Sequence, residues 1–434
     1  MRIRHLVVIA AAAALATACS SGSSGTTSGT GAAAGSPVKI EMLSIAQPTD
    51  TVPSNLQTLM TGFAKTHPGS TFTITYIPQD QLDQKLQLLA AQNALPAMFY
   101  APNSPAAQAE IGKNGQALNI QQTLTQFGDF DKLNPTAVKI MQQQQGGQVF
   151  ALPFELNIEG FWYNKKIFAD NGVTPPSTWD DLSRIAGQLQ AKGIQPSAAS
   201  GIQGWPLTRL VSGYLFREQG PDALQKVVDG QAKLTDPAYV KAAQAVADWG
   251  AKGYFGKGFA TLDYQPAEDV FLQGKSAMFY MGSWATGDFT DPAKNKIGGD
   301  DNVGFFPVPT VAGGSGSIDQ TPMNAGLPIM FSAKKYNPAI GEWLKYVVDN
   351  YGNTALKDKG VISGFVVTDQ PANLPSTTQT VLNEIKATTV PLQWFEAPLT
   401  AKAGSVSTKN AASLVNGSTS AQSFMSTVQA AQNG

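Results

Sequence analysis

The chain has 434 residues, with 30 Lys and Arg against 31 Asp and Glu, two histidines and a single cysteine. That length holds two or three domains, each able to bury a full core, while the balanced charge argues against nucleic acid or an anionic membrane surface as a partner. One cysteine and two histidines exclude a disulfide framework within the chain, a cysteine-based zinc site and a histidine-rich metal cluster, so no cofactor or metal is expected.

Residues 1–18 read as a signal peptide. Arg2 and Arg4 make a positive start, and Leu6 to Leu15 is an apolar run of secretory length, too short to span a bilayer. Ala16-Thr17-Ala18 then precede Cys19, a stretch that resembles the lipobox of bacterial lipoproteins, although Leu15 stands one position further from the cysteine than in that motif. The resemblance implies that Cys19 is the first mature residue and the lipid attachment site. Two acyl chains give stable anchoring where one is marginal. Ser20 to Ser36 contains only Ser, Gly, Thr and Ala, so 19–36 reads as a lipidated flexible tether with a reach of roughly 20–25 Å.

Val38 to Ser44 predicts a strand. Pro53 opens a helix with Leu56, Leu59, Met60 and Phe63 on one face, stopped by Pro68-Gly69. Phe72, Ile74 and Tyr76 alternate as a second strand, Leu82, Leu86 and Leu89 form a helical stripe, and Ala97 to Ala101 is a third strand. The order βαβαβ predicts a parallel sheet in an α/β domain, with ligand beyond the carboxyl ends of the strands. Those ends are polar and carry no glycine-rich phosphate fingerprint, which makes Gln47, Asp50, Asp80 and Asn103 candidate ligand contacts.

The pattern restarts after residue 149. Ile158 to Tyr163 predicts a strand, and Ser177 and Thr178 both have capping-box spacing to an aspartate before the stripe Leu182, Ile185, Ala186 and Leu189. Asp236-Pro237 opens a helix to about Lys252. Ser276 to Met281 predicts a strand before Gly282-Ser283-Trp284, Leu327 to Ser332 another, and Pro338 starts a helix through Val348. The tail from Lys402 is polar, with a last helix near Thr419 to Gln422.

Several segments in order resemble the sugar-binding proteins of bacterial ABC importers, the family of maltose-binding protein. They are Gly147-Gln148-Val149-Phe150-Ala151-Leu152-Pro153-Phe154-Glu155 running to Tyr163-Asn164-Lys165, Pro175-Pro176-Ser177-Thr178-Trp179-Asp180-Asp181-Leu182, Phe271-Leu272-Gln273-Gly274-Lys275 with Gly282-Ser283-Trp284, and Val303-Gly304-Phe305-Phe306-Pro307. The resemblance implies an α/β, two-lobed periplasmic-binding-protein-like (type II) fold with a hinge between lobes near Pro153–Asn157. It puts the N-terminal lobe at 37–149 plus 300–348 and the C-terminal lobe at 150–299 plus 349–434. Its implied partners are a carbohydrate, probed as a di- or oligosaccharide, and the permease subunits of an ABC importer, with the protein acting as a monomer held to the membrane by lipid.

A sugar offers an apolar face that suits an aromatic plane and a rim of hydroxyls that suits side chains able to donate and accept. Trp179, Trp249 and Trp343 lie in helical segments and Trp162 in a strand, positions that read as core. Trp284 follows a strand and a Gly-Ser turn, and the matching family tryptophan stacks on sugar. Trp205 follows a glycine-rich loop, and Trp394 stands in the tail, where the family also uses a tryptophan. Asn157, flanked by Glu155 and Glu159, matches a family position often held by a carboxylate, and Asn324 precedes Gly326 at an inter-lobe segment. Two other readings stay open. The same fold can take a polyamine or amino acid, and a secreted glycoside hydrolase needs two paired carboxylates that no spacing here identifies. A Ser-His-Asp hydrolase would depend on His67, which reads as a helix-end residue.

Overall fold

The computed structural model describes residues 35–434. The signal peptide expected over 1–18, Cys19 and nearly all of the tether expected over 19–36 lie outside the described residues, as does the side chain of Asp80. In chain order the strands are β1 (Lys39–Ser44), β2 (Thr71–Tyr76), β3 (Met98–Tyr100), β4 (Ala151–Leu152), β5 (Asn157–Asn164) and β6 (Gln195–Ala198). They continue with β7 (Ser276–Gly282), β8 (Val303–Phe306), β9 (Gln320–Asn324), β10 (Ile329–Phe331) and β11 (Val390–Leu392).

These strands form two sheets. The first runs β2-β1-β3-β10-β4, with β1 parallel to β2 and β3 and with β10 antiparallel to β3 and β4. The second runs β11-β9-β5-β7-β6, with β8 also on β5. β5 organises this second sheet. Its first two residues pair with β9, and the rest lie between β7 and β8. Every residue of β5 except Tyr163 is buried, as a strand covered on both faces requires.

The apolar periodicities produce the expected packing. Helix Thr51–Phe63 buries Val52, Leu56, Leu59, Met60 and Phe63 and packs against helix Pro338–Lys359, whose Trp343, Leu344, Val347 and Tyr351 are fully buried. Of the two possible capping boxes Thr178 forms the real one, its hydroxyl accepting from the Asp181 N–H at 3.1 Å. Trp162, Trp179, Trp249 and Trp343 are all core. His67 stacks on Phe63 at 3.8 Å and reaches Glu342 through Nε2 at 3.0 Å, so it fastens a helix end.

Three expectations need correction. Residues 151–152 pair with β10 in the first sheet, so the chain leaves that sheet along Pro153–Leu156 and not at 149. Residues 303–306 pair with β5 and 320–324 with β5 and β11, which puts the beginning of the expected 300–348 segment in the second sheet. The helix from Pro338 runs unbroken to Lys359 and carries 349–359 with the first sheet, because its apolar stripe continues through Tyr351 and Ala355. The tail also contains a helix, Ala401–Val415, that its polar composition hid. It packs on helices Trp205–Gln219 and Ala421–Gln432 and buries Ala403, Gly404, Ser407 and Ala411 before its larger Leu414 and Val415. Small side chains bury helix surface without an apolar stripe in the sequence.

Candidate functional site

Three of the candidate tryptophans, from three distant segments, converge on one cation. Trp205 is the first residue of helix Trp205–Gln219, Trp284 lies in the single turn Ser283–Ala285 that follows β7, and Trp394 stands two residues after β11. Arg209 sits one helical turn after Trp205. Its guanidinium carbon lies 4.5 Å from the Trp205 ring centroid, 5.6 Å from that of Trp284 and 5.2 Å from that of Trp394, within the range of cation–π attraction. Trp205 and Trp284 meet edge to face at 5.8 Å, and Tyr264, which opens helix Tyr264–Leu272, stacks near Trp205 at 6.4 Å. The place of Trp284 is set by its own backbone. A Cβ at Gly282 would stand 1.9 Å from the Trp284 ring, so only glycine lets the indole lie back over the strand end.

A chain of buried polar groups ties this aromatic group to the crossing strands. Arg209 Nη1 donates to Glu159 Oε1 at 2.5 Å, and the Glu159 side chain is only 2% exposed. Asn324 Nδ2 donates to the same oxygen at 2.8 Å. Asn157 Nδ2 reaches Asn324 Oδ1 at 3.4 Å, and Asn157 Oδ1 accepts from the Ser283 hydroxyl at 3.1 Å, next to Trp284. Gly326 donates its N–H to Asn324 Oδ1 at 2.9 Å and holds φ +64°. A Cβ at Gly326 would meet Glu155 Oε2 at 2.1 Å, so glycine is required there both by the backbone and by the close approach.

Burial pushes the carboxyl groups of this region upward. Glu159 is raised by desolvation, against the opposing pull of Arg209 and Asn324. Glu155 is raised by desolvation with Asn157 opposing. Glu396, which accepts from the Thr208 hydroxyl, is raised in the same way with Arg209 and Thr208 opposing. Arg209 is the cation that opposes this rise at Glu159 and Glu396, and the aromatic rings surround it.

The first-sheet candidates are arranged differently. Gln47 is exposed, and its N–H donates to Asp50 Oδ2 at 2.7 Å while Asp50 N–H returns to the Gln47 carbonyl. Asn103 Oδ1 accepts from Gln79 Nε2 at 2.9 Å, and the Asn103 N–H donates to Asp83. Asp80 lies in the turn Gln79–Gln81 between them. Gln47 and Asn103 close their own loops and have no bond to the aromatic group. Asn157, Asn324, Trp205, Trp284 and Trp394 are brought together. Arg209, Tyr264 and Glu396 went unread in the sequence. The available signal was an arginine four residues after Trp205 in an apolar helical run, while nothing marked Tyr264 or Glu396.

The sequence profile of the bacterial extracellular solute-binding proteins matches residues 47–353. The chain belongs to that family. Its members work outside the cytoplasm, which places this protein there too. Among relatives, it is 26% identical over 229 residues to an uncharacterised ABC transporter extracellular-binding protein of Pyrococcus horikoshii, covering 50% of each chain. It is 27% identical over 214 residues to the multiple sugar-binding protein of Streptococcus mutans, covering 46% of this chain and 47% of that one. The chain thus spans about half the length of the curated relatives it matches. In three dimensions it superposes on a chitin oligosaccharide binding protein with TM-score 0.80 at 24% identity, over 92% of this chain and 99% of the other. It superposes on a maltose-bound protein of T. maritima with TM-score 0.74 at 17% identity, over 91% and 99%. These likenesses establish the two-lobed type II binding-protein fold.

Proposed function

We propose that this protein is the substrate receptor of a bacterial ABC importer and that it binds a di- or oligosaccharide against Trp205, Trp284 and Trp394. The convergence of the three indoles carries this reading. Aromatic planes suit the C–H faces of pyranose rings, and Glu159, Asn157, Asn324 and Arg209 supply donors and acceptors beside them. The names of its relatives and structural neighbours, among them a multiple sugar-binding protein and a receptor solved with raffinose, point to the same ligand class. Gln47, Asp80 and Asn103 are assigned to the opposite wall, which reaches the sugar as the lobes close about Pro153–Asn157. Binding is without turnover. The protein acts as a monomer, tethered by lipid at Cys19, and hands its ligand to the permease.

A sugar panel of maltotriose, raffinose, stachyose and N,N′-diacetylchitobiose, read by thermal shift, tests this. A ligand at a hundredfold excess over its Kd stabilises the folded state by about 2.7 kcal/mol. At least one sugar is expected to shift the melting temperature and come back uncleaved. Shifts only with polyamines or amino acids would remove the sugar assignment, and cleavage products would make the protein a hydrolase. Small-angle scattering with the binding sugar is expected to show a smaller radius of gyration, and identical profiles would remove the hinge. Cys19→Ala is expected to move the protein from the membrane to the soluble exported fraction.

A further inference from the structure

Behind Trp284 and Tyr264 lies a second group of titratable side chains that sugar contact does not use. Glu268 stands one turn after Tyr264 on helix Tyr264–Leu272 and is 0% exposed. Its Oε2 accepts from Gln265 Nε2 at 3.1 Å, while its Oε1 is buried without any hydrogen-bond partner. Such an orphan oxygen is costly unless something supplies a hydrogen. The groups that face Glu268 are Asp288, from the short helix Thr286–Thr290 after Trp284, Lys294, which donates to Asp288 at 2.7 Å, Asp269 on its own helix, and the Tyr264 hydroxyl. Tyr264 and Glu268 share one face of that helix, and the Tyr264 ring stacks near Trp205, which meets Trp284 edge to face at 5.8 Å. Lys294 pairs with Asp288, and Glu268 has no ion pair among the described residues.

We propose that Glu268 is a positioning residue that works as a neutral acid, its own proton bridging to Asp288 while its carboxyl braces Tyr264 and, through Tyr264, the Trp284 platform. This rests on the reading of Trp284 as a ligand contact. Burial and the neighbouring Asp288 push the Glu268 carboxyl up to about 8, with Lys294 opposing. Through the neutral range the acid stays protonated and the missing hydrogen at Oε1 is its own. In mildly alkaline solution the proton leaves to solvent. The buried Glu268 carboxylate then faces the partly exposed Asp288 carboxylate across one lysine, and the repulsion pushes the helix turn that carries Tyr264 away from the turn that carries Trp284.

The test begins without ligand. Tryptophan fluorescence of the exported protein, titrated from about pH 6 to about pH 9.5, is expected to show a transition centred near the alkaline end of neutrality. The transition should vanish in Glu268→Gln, which keeps a neutral side chain at every pH. A flat wild-type profile, or a transition that persists in Glu268→Gln, would overturn the proposal. Should Glu268→Gln fail to fold, Asp288→Asn decides the question. Its midpoint is expected to move down because the repelling charge is gone, and an unmoved midpoint would overturn the proposal. Affinity for whichever of maltotriose, raffinose or N,N′-diacetylchitobiose binds is expected to fall about tenfold across the same pH range in the wild type and to stay level in Glu268→Gln; a level wild-type affinity would overturn the link to the platform. If none of the three sugars binds, the sugar reading falls while the ligand-free titration still judges Glu268.

Discussion

The two walls assigned to the ligand are built on different principles. On the second sheet, Trp205, Trp284 and Trp394 are already gathered around Arg209, and the arginine is held by a carboxylate, Glu159, that is almost wholly buried. On the first sheet, Gln47 and Asn103 sit at loop ends and bond within their loops. The first arrangement is expensive to disturb, because its charges depend on one another out of water. The second can exchange its local bonds for a ligand's hydroxyls at small cost. On the proposed function, the aromatic group is the preformed side of the site and the polar loops are the adaptable side.

Breaking the rigid wall should have the largest effect. Arg209→Ala strands Glu159 as a buried charge and is expected to cost about 3–5 kcal/mol of stability, read by urea unfolding. A loss below about 1 kcal/mol would show that Glu159 is readily hydrated and that the wall is not preformed. Trp284→Ala removes an aromatic plane and should weaken sugar binding by about 2–4 kcal/mol, measured by calorimetry. Intact affinity with reduced stability would make Trp284 a core residue.

Acidity distinguishes the walls next. Glu155, Glu159, Glu268 and Glu396 all have carboxyls raised by burial. The native state therefore keeps protons that the unfolded chain releases above about pH 4.5. Their contribution to stability is fully present below that value and is lost as pH rises through the folded values, which for Glu268 extends to about 8. Each proton held only by the native state lowers stability by about 1.4 kcal/mol per pH unit in that window. The melting temperature should therefore decline from mildly acidic to mildly alkaline pH, and a rise over that range would contradict the buried-acid description. The smallest effect belongs to the adaptable wall. Asn103→Ala should change stability by less than about 1 kcal/mol, as expected for a half-exposed loop side chain, while lowering sugar affinity measurably. Unchanged affinity would take Asn103 out of the site.

Much of the fold was legible because apolar periodicity reports burial directly. Leu56, Leu59, Met60 and Phe63 predicted the first helix, and the alternation in β2 and the run in β5 predicted strands. The helix Ala401–Val415 was not legible, since its buried face is small residues at Ala403, Gly404, Ser407 and Ala411 and becomes strongly apolar only at Leu414 and Val415. The boundaries at 149 and 300 shifted for a related reason. A two-residue strand such as β4 is defined by its partner β10, which is almost 180 residues away in the chain.

From sequence alone, the α/β class, the resemblance to solute receptors and the separation of core tryptophans from Trp205, Trp284 and Trp394 all follow, because each depends on local composition, periodicity or motif. That those three indoles share one arginine was decided only by the tertiary structure. So were the pairing of Arg209 with Glu159 rather than another of the many acids, and the place of Glu268 behind the platform. Each of these depends on which distant side chains desolvate one another. Desolvation is a property of the packed volume, and no spacing along the chain encodes it.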